Sequence, residues 1–215
     1  MKNSSSIISP PSPTGEHPSV CVSSGAALKL AKKYLNKNDK LVDLGCGTKT
    51  FMRQMGEYGF YDITGVDGYP YDDTIIRAHL GYEPLPFKDN SLNGVTAWEV
   101  LEHLENPHQT LREIKRVLIP GGYFLFSVPN PSHIQSRLEM LLKGTLTRWS
   151  DTNDHITVLT KEIVRKKFGA ELTLCEISYG VPMFLPLKGK IIGKINRSLP
   201  ENCLFGAFTM YAFKK

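Results

Sequence analysis

The chain predicts an α/β fold, a doubly wound and mostly parallel sheet with helices on both faces. Three observations point to it. Short, continuously apolar runs such as Leu41, Val42 and Leu44 alternate with segments whose apolar residues recur at helical spacing. A glycine turn, Gly45-Cys46-Gly47, stands where the first run gives way to a helix. Acids close the runs at Asp67 and Glu99, on the edge where open parallel sheets bind ligands.

Residues 1–18 are rich in Ser, Pro and Asn and have little to bury, so they read as a disordered tail before a single domain at 19–215. Ala26, Ala27, Leu30, Ala31 and Leu35 give a first helix that ends at Asn36-Lys37-Asn38. The first strand is 40–44, and a helix starts near Thr50 with Phe51, Met52 and Met55 on its apolar side. The second strand is 62–66. A helix near 72–78 then leads to a short third strand or extended link at His79-Leu80. The fourth strand is 94–98. Leu111, Ile114, Val117 and Leu118 mark a helix that stops before Pro120-Gly121-Gly122, and the fifth strand is 123–128.

After Pro129 the alternation breaks. Ile134, Leu138, Leu141 and Leu142 define one helical face, and a polar link fills 144–154. This insertion, at about 131–155, reads as a small helical cap over the active site or as a structural insertion. A helix at 161–168, a sixth strand at 172–178 and a last strand at 207–213 complete the pattern, with an irregular stretch between the two strands.

With 215 residues, the chain suits one domain with one good core. No run approaches the roughly 20 apolar residues of a membrane span, and no apolar leader follows Lys2. Cys21, Cys46, Cys175 and Cys203 are scattered, so neither a zinc site nor a disulfide framework is expected, no metal is assigned, and a cytoplasmic location fits. The net charge of +5 is concentrated at 161–197, which holds eight basic and three acidic residues. Such a region suits a solvated helix face, nucleic acid or an anionic membrane surface. Within it, the stretch 188–197 interleaves Lys190, Lys194 and Arg197 with Ile191, Ile192 and Ile195; it reads as a peripheral membrane contact or as a surface segment packing its isoleucines on the core.

The chemistry concentrates at 41–51, LVDLGCGTKTF. A buried strand, a glycine turn and a helix N-terminus offer unpaired N–H groups and close backbone approach. Beside the Asp43 carboxylate, such a site suits a nucleoside-bearing ligand. A dinucleotide fingerprint needs a third glycine, where this chain has Thr50, which makes a dehydrogenase the weakest reading. Asp67 lies 20 residues beyond Gly47, at the end of the second strand, where a carboxylate can accept both hydroxyls of a ribose.

Asp43, Gly45 and Gly47 resemble motif I of the class I S-adenosylmethionine-dependent methyltransferases. Leu85-Pro86-Phe87, Glu102-His103-Leu104, Arg116-Val117-Leu118-Ile119-Pro120-Gly121-Gly122 and Pro129-Asn130 follow in the order of that family's small-molecule branch, types 11 and 23. The resemblance covers roughly 38–180. It implies a Rossmann-like sheet with an antiparallel last strand and S-adenosyl-L-methionine as cofactor. It implies that Gly45, Cys46 and Gly47 meet the methionine and ribose portion and that Asp67 takes the ribose hydroxyls. Gly68, His79 and Leu80 would flank the adenine, and Glu99, after Trp98, would border the methyl.

Three departures stand out: Lys49 for the last motif-I glycine, His79 where an acid often stands, and Asn93 for an aspartate before the fourth strand. Lys49 would pair with the cofactor carboxylate or point to water. Glu102 reads as a helix-surface acid, whereas His103 and His155 are the candidate general bases. The leading expectation is methyl transfer to a small-molecule acceptor, sugar or lipid-linked among the options. The alternatives are a non-catalytic cofactor-binding or regulatory protein and an RNA methyltransferase. No separate RNA-binding domain or base-amine motif supports a nucleic-acid partner.

Overall fold

The computed structural model describes residues 20–23, 25–151, 153–182 and 204–215. The expected tail at 1–18, the basic stretch 188–197 and Cys203 lie outside them. Seven strands form one sheet: β1 (Leu41–Leu44), β2 (Ile63–Asp67), β3 (Ile76–Arg77), β4 (Leu92–Trp98), β5 (Leu118–Pro129), β6 (Thr173–Pro182) and β7 (Gly206–Lys214). Their spatial order is β3-β2-β1-β4-β5-β7-β6. Pairs β1–β2, β1–β4, β2–β3 and β4–β5 are parallel, and β7 runs antiparallel to both β5 and β6. This is the mostly parallel sheet with an antiparallel last strand that the sequence predicts.

The helices are α1 (Val20–Ser23), α2 (Ala26–Tyr34), α3 (Thr50–Glu57), α4 (Pro107–Val117), α5 (Ile134–Lys143) and α6 (Lys161–Lys167). Alternation along the strands divides the apolar residues into two cores. Phe124, Phe126 and Val128 of β5 pack on one face with Leu111, Ile114 and Val117 of α4 and with Val164 and Phe168 around α6. Leu125 faces the other way, into a cluster with Leu30 and Ala31 of α2 and Phe51 and Met55 of α3. A strand buried on both faces needs apolar residues at consecutive positions, which is why the runs show no polar alternation.

Three elements differ from expectation. No helix forms at 72–78. Instead the Asp72 carboxylate accepts hydrogen bonds from the Thr74 N–H (3.0 Å) and hydroxyl (2.6 Å), a local turn that competes with helix. The third strand therefore falls at Ile76–Arg77, paired with Val66 and Asp67, and His79-Leu80 follows it. β5 starts earlier than expected, at Leu118, which pairs with Leu92 before a register shift. On α5, Leu138, Leu141 and Leu142 are exposed, so its predicted apolar face is not laid against the core.

Phe126 is the hub of the first core, with ring centroids 4.7 Å from Phe124, 4.9 Å from Tyr211 and 5.3 Å from Phe168. Phe126→Ala leaves a cavity that these rings cannot close. It should lower the unfolding free energy by about 3–5 kcal/mol, read from urea denaturation followed by circular dichroism. A loss under about 1 kcal/mol would contradict this packing.

Candidate functional site

The chain moves outward from β1 through β2 to β3 and then returns to lay β4 and β5 on β1's other side. The carboxyl ends of β1, β2 and β4 thus meet at a topological switch point, where open α/β sheets open a crevice. Gly45 and Gly47 turn the chain there with φ of 64° and 47°. A Cβ on Gly45 would stand 2.5 Å from Val100 Cγ2, so only glycine lets the turn pack on the loop after β4. A Cβ on Gly47 would meet nothing within 4 Å, so this part of the turn borders open space. Lys49, at the third motif position, also has a left-handed φ of 59°. Its ammonium binds Asp72 and the Thr74 hydroxyl (3.0 Å) and holds the Asp72 carboxyl at about 2. That pairing corrects the expectation that Lys49 simply points to water.

Asp67 ends β2 and reaches the turn: Gly47 N–H donates to its Oδ2 at 3.0 Å, and Tyr69 N–H to its Oδ1 at 2.9 Å. Each oxygen keeps acceptor capacity for a hydroxyl. A Cβ on Gly68 would lie 3.2 Å from His79 Nδ1, and the His79 ring meets Tyr69 edge-on at 5.7 Å. Leu80 is buried in the core beside them. Cys46 is buried, and burial foremost lifts its thiol to about 12.

Asp43 lies inside the sheet, 2% exposed, accepting from the Thr96 hydroxyl at 2.7 Å. Burial, opposed by that hydrogen bond, lifts its carboxyl to about 7. Trp98 ends β4, buried against Phe51 at 5.2 Å, and its indole Nε1 has no partner. Glu99 follows with φ 54°, its N–H donating to the Ser127 carbonyl and hydroxyl, both at 3.1 Å. Its Oε2 accepts from the Cys21 N–H at 3.3 Å. Asn93 accepts from the Lys40 N–H at 2.9 Å, so the amide supplies a structural acceptor at that position.

His103 and His155 do not join this cradle. They meet each other beyond β4, ring centroids 4.8 Å apart, with Trp149 5.9 Å from His155. Glu102 stands with them. It is fully buried rather than on a helix surface, because residues 101–103 form a 3₁₀ turn folded under the 155–157 segment. Its backbone carbonyl accepts the N–H groups of Ile156 and Thr157, each at 2.9 Å. Burial pushes the Glu102 carboxyl well above its usual range. Burial, then the neighbouring His103, pulls His155 down.

Comparison with known proteins gives a consistent family. Residues 24–170 match the methyltransferase domain family. The chain is 25% identical over 170 residues to 24-methylenesterol C-methyltransferase 2 of Oryza sativa subsp. japonica, covering 68% of this chain and 45% of that protein. It is 26% identical over 171 residues to the ubiquinone biosynthesis O-methyltransferase of Idiomarina loihiensis, covering 72% and 69%. The chain thus spans less than half the length of the rice relative. In fold it is similar to a SAM dependent methyltransferase from Archaeoglobus fulgidus, with TM-score 0.65, 17% identity and coverage of 89% and 93%.

Asp43 yields a prediction of its own. A folded-state pKa of about 7 against the ordinary 3.8 means that the folded chain holds this proton more tightly than the unfolded chain. The stabilisation is full at low pH and is lost as pH rises through about 7. Asp43→Asn removes this dependence and keeps an acceptor for Thr96. Between about pH 4 and pH 8 the variant should therefore gain a few kcal/mol relative to wild type in denaturant unfolding, at about 1.4 kcal/mol per pKa unit. A difference that does not change with pH would contradict the buried acid.

Proposed function

We propose, on the premise that this chain belongs to the methyltransferase domain family of class I S-adenosylmethionine-dependent enzymes, that it methylates a small-molecule acceptor at the switch point. The observation that carries the reading is the Asp67 carboxylate. It braces the glycine turn through Gly47 and retains acceptor capacity facing the crevice at the end of β2. The cradle suits the cofactor. Gly47 leaves open space, backbone curvature replaces side chains at Gly45 and Gly47, and Gly68, His79 and Leu80 lie next to Asp67.

In this reading Asp67 accepts the ribose hydroxyls, Gly45, Cys46 and Gly47 line the methionine portion, and Gly68, His79 and Leu80 flank the adenine. Trp98 and Glu99 border the reacting end, with Asp43 beneath the turn. When bound, S-adenosylmethionine supplies a methyl group on a sulfonium, a good leaving group. What remains for the protein is positioning, exclusion of water and removal of a proton. His103 and His155 stand on the acceptor side. The insertion at 131–155 brings Arg148, Trp149 and His155 to the same edge, which supports a cap role for it.

The relatives' names, one for a 24-methylenesterol and one for ubiquinone biosynthesis, support small acceptors without selecting a sugar or a lipid-linked compound. No helix among the described residues is long and apolar enough to cross a membrane. Thiols at Cys46 and Cys175 suit a cytoplasmic setting.

Calorimetry should show binding of S-adenosylmethionine and its demethylated product, and Asp67→Ala should weaken both by about 1–3 kcal/mol. Equal affinity in the variant, or binding of NADH instead, would overturn the reading. Hydrogen exchange tests the cap: binding of the demethylated product should slow exchange across 131–151 and 153–155. Unchanged exchange there would leave the segment a structural insertion.

A further inference from the structure

Glu102, His103 and His155 each offer one ligand atom, and these atoms all lie within 4.8 Å of one another. We propose that the three side chains bind one divalent transition-metal cation, and that the ion receives a hydroxyl oxygen of the acceptor. Ion binding stands on the cluster itself; its role rests on the methyltransferase reading.

Glu102 carries the first part of the argument. It is 0% exposed, and neither carboxylate oxygen has a hydrogen-bond partner. A buried ionised carboxylate costs several kcal/mol, a cost that a proton or a bound cation relieves. Its backbone carbonyl is taken by the N–H groups of Ile156 and Thr157, so the main chain holds the side chain in this buried place. The Arg148 guanidinium acts on Glu102 through its charge and does not hydrogen-bond its oxygens.

The histidines are held as metal ligands usually are. His103 turns Nδ1 toward Asp154, 3.2 Å from its carboxylate and 3.3 Å from its carbonyl, which leaves Nε2 available. The Arg148 carbonyl bonds the His155 ring, while His155 Nδ1 is buried without a partner. An oxygen acceptor behind each imidazole fixes its orientation and raises its basicity as a ligand. The backbone holds the two segments together: Ile156 and Thr157 bond Glu102, and the Thr157 hydroxyl donates to the Leu104 carbonyl at 2.6 Å. Ligand atoms about 2.1 Å from a tetrahedral ion stand about 3.4 Å apart, so side-chain rotation of about 1 Å closes the site.

Two imidazoles and one carboxylate suit zinc, manganese, iron(II) or cobalt rather than magnesium, which prefers oxygen. Three protein ligands leave positions open. The His103 side chain is one-third exposed, so one side of the cluster reaches solvent beyond β4, three residues past Glu99. There the ion would accept a lone pair from an alcohol or phenol oxygen. The O–H bond breaks, its proton leaves to water, and the electron pair stays on oxygen. A ligated imidazole cannot also take that proton, so His103 and His155 hold the ion instead of acting as bases. The acceptor class is then a hydroxyl compound.

The test is a Co²⁺ titration of untagged, chelator-treated full chain, read by visible absorption, with binding of the demethylated cofactor measured in parallel by calorimetry. We expect about one Co²⁺ per chain, displaced by Zn²⁺. Glu102→Gln and His155→Gln should each weaken binding about tenfold or more, while His108→Ala should leave it unchanged. Circular dichroism confirms folding, and His103→Gln replaces any variant that does not fold. A folded chain that binds the cofactor product but no Co²⁺, or one whose Co²⁺ affinity survives Glu102→Gln and His155→Gln, overturns the metal site. Co²⁺ binding that depends on Glu102 in a chain that does not bind the cofactor product keeps the site and overturns its role in methyl transfer.

Discussion

The site depends on the contact between Gly45 and Val100. At 2.5 Å from Val100 Cγ2, no Cβ can be placed on Gly45. The missing side chain lets the turn after β1 sit directly on the loop after β4. One loop carries Gly45, Cys46 and Gly47. The other carries Glu99, Glu102 and His103. Because β1 and β4 are paired neighbours, with Leu44 opposite Ala97, the two loops emerge side by side from the same edge. The glycine turn and the loop after β4 are therefore parts of one packed unit, which suits the positioning that the proposed methyl transfer demands.

On either side of that contact the structure divides the work. Toward β2, polar groups are satisfied within the cradle: Asp67 by Gly47 and Tyr69, Asp43 by Thr96, and Lys49 by Asp72. Toward the insertion they are not. Trp98 Nε1, both Glu102 oxygens and His155 Nδ1 are buried without partners. Unpartnered buried polar atoms are uncommon in folded proteins. Among the described residues, four of the seven such atoms belong to Trp98, Glu102 and His155, and the other three are on Gln54, Thr110 and Ser178. The fold itself does not choose the acceptor, because function belongs to the site and not to the sheet.

The parallel strands were legible because strands buried on both faces must be apolar at every position, as at Leu41, Val42 and Leu44 or along 123–128. The glycine turn and Asp67 were legible because their spacing follows from the backbone path. The false helix at 72–78 came from a spacing that ignored how Asp72 turns back on Thr74. Glu102 reads as a surface acid in any short charged segment. Its burial comes from residues 155–157, more than 50 positions away, and no local pattern encodes that. For the same reason, no local pattern brings His155 to Glu102 and His103, which only tertiary structure does. α1 and its Cys21 N–H contact to Glu99 have no signature in the sequence, because four residues carry no periodicity.

The central claim is that one ligand site is built at the carboxyl ends of β1, β2 and β4. A crystal structure with S-adenosylhomocysteine at saturation tests it most directly. The account predicts the ribose hydroxyls on the Asp67 carboxylate, the amino-acid portion along Gly45–Gly47, and the sulfur facing Glu99. Ligand density at another edge of the sheet, or against Asp67 in a reversed orientation with the adenine toward Glu99, would contradict it.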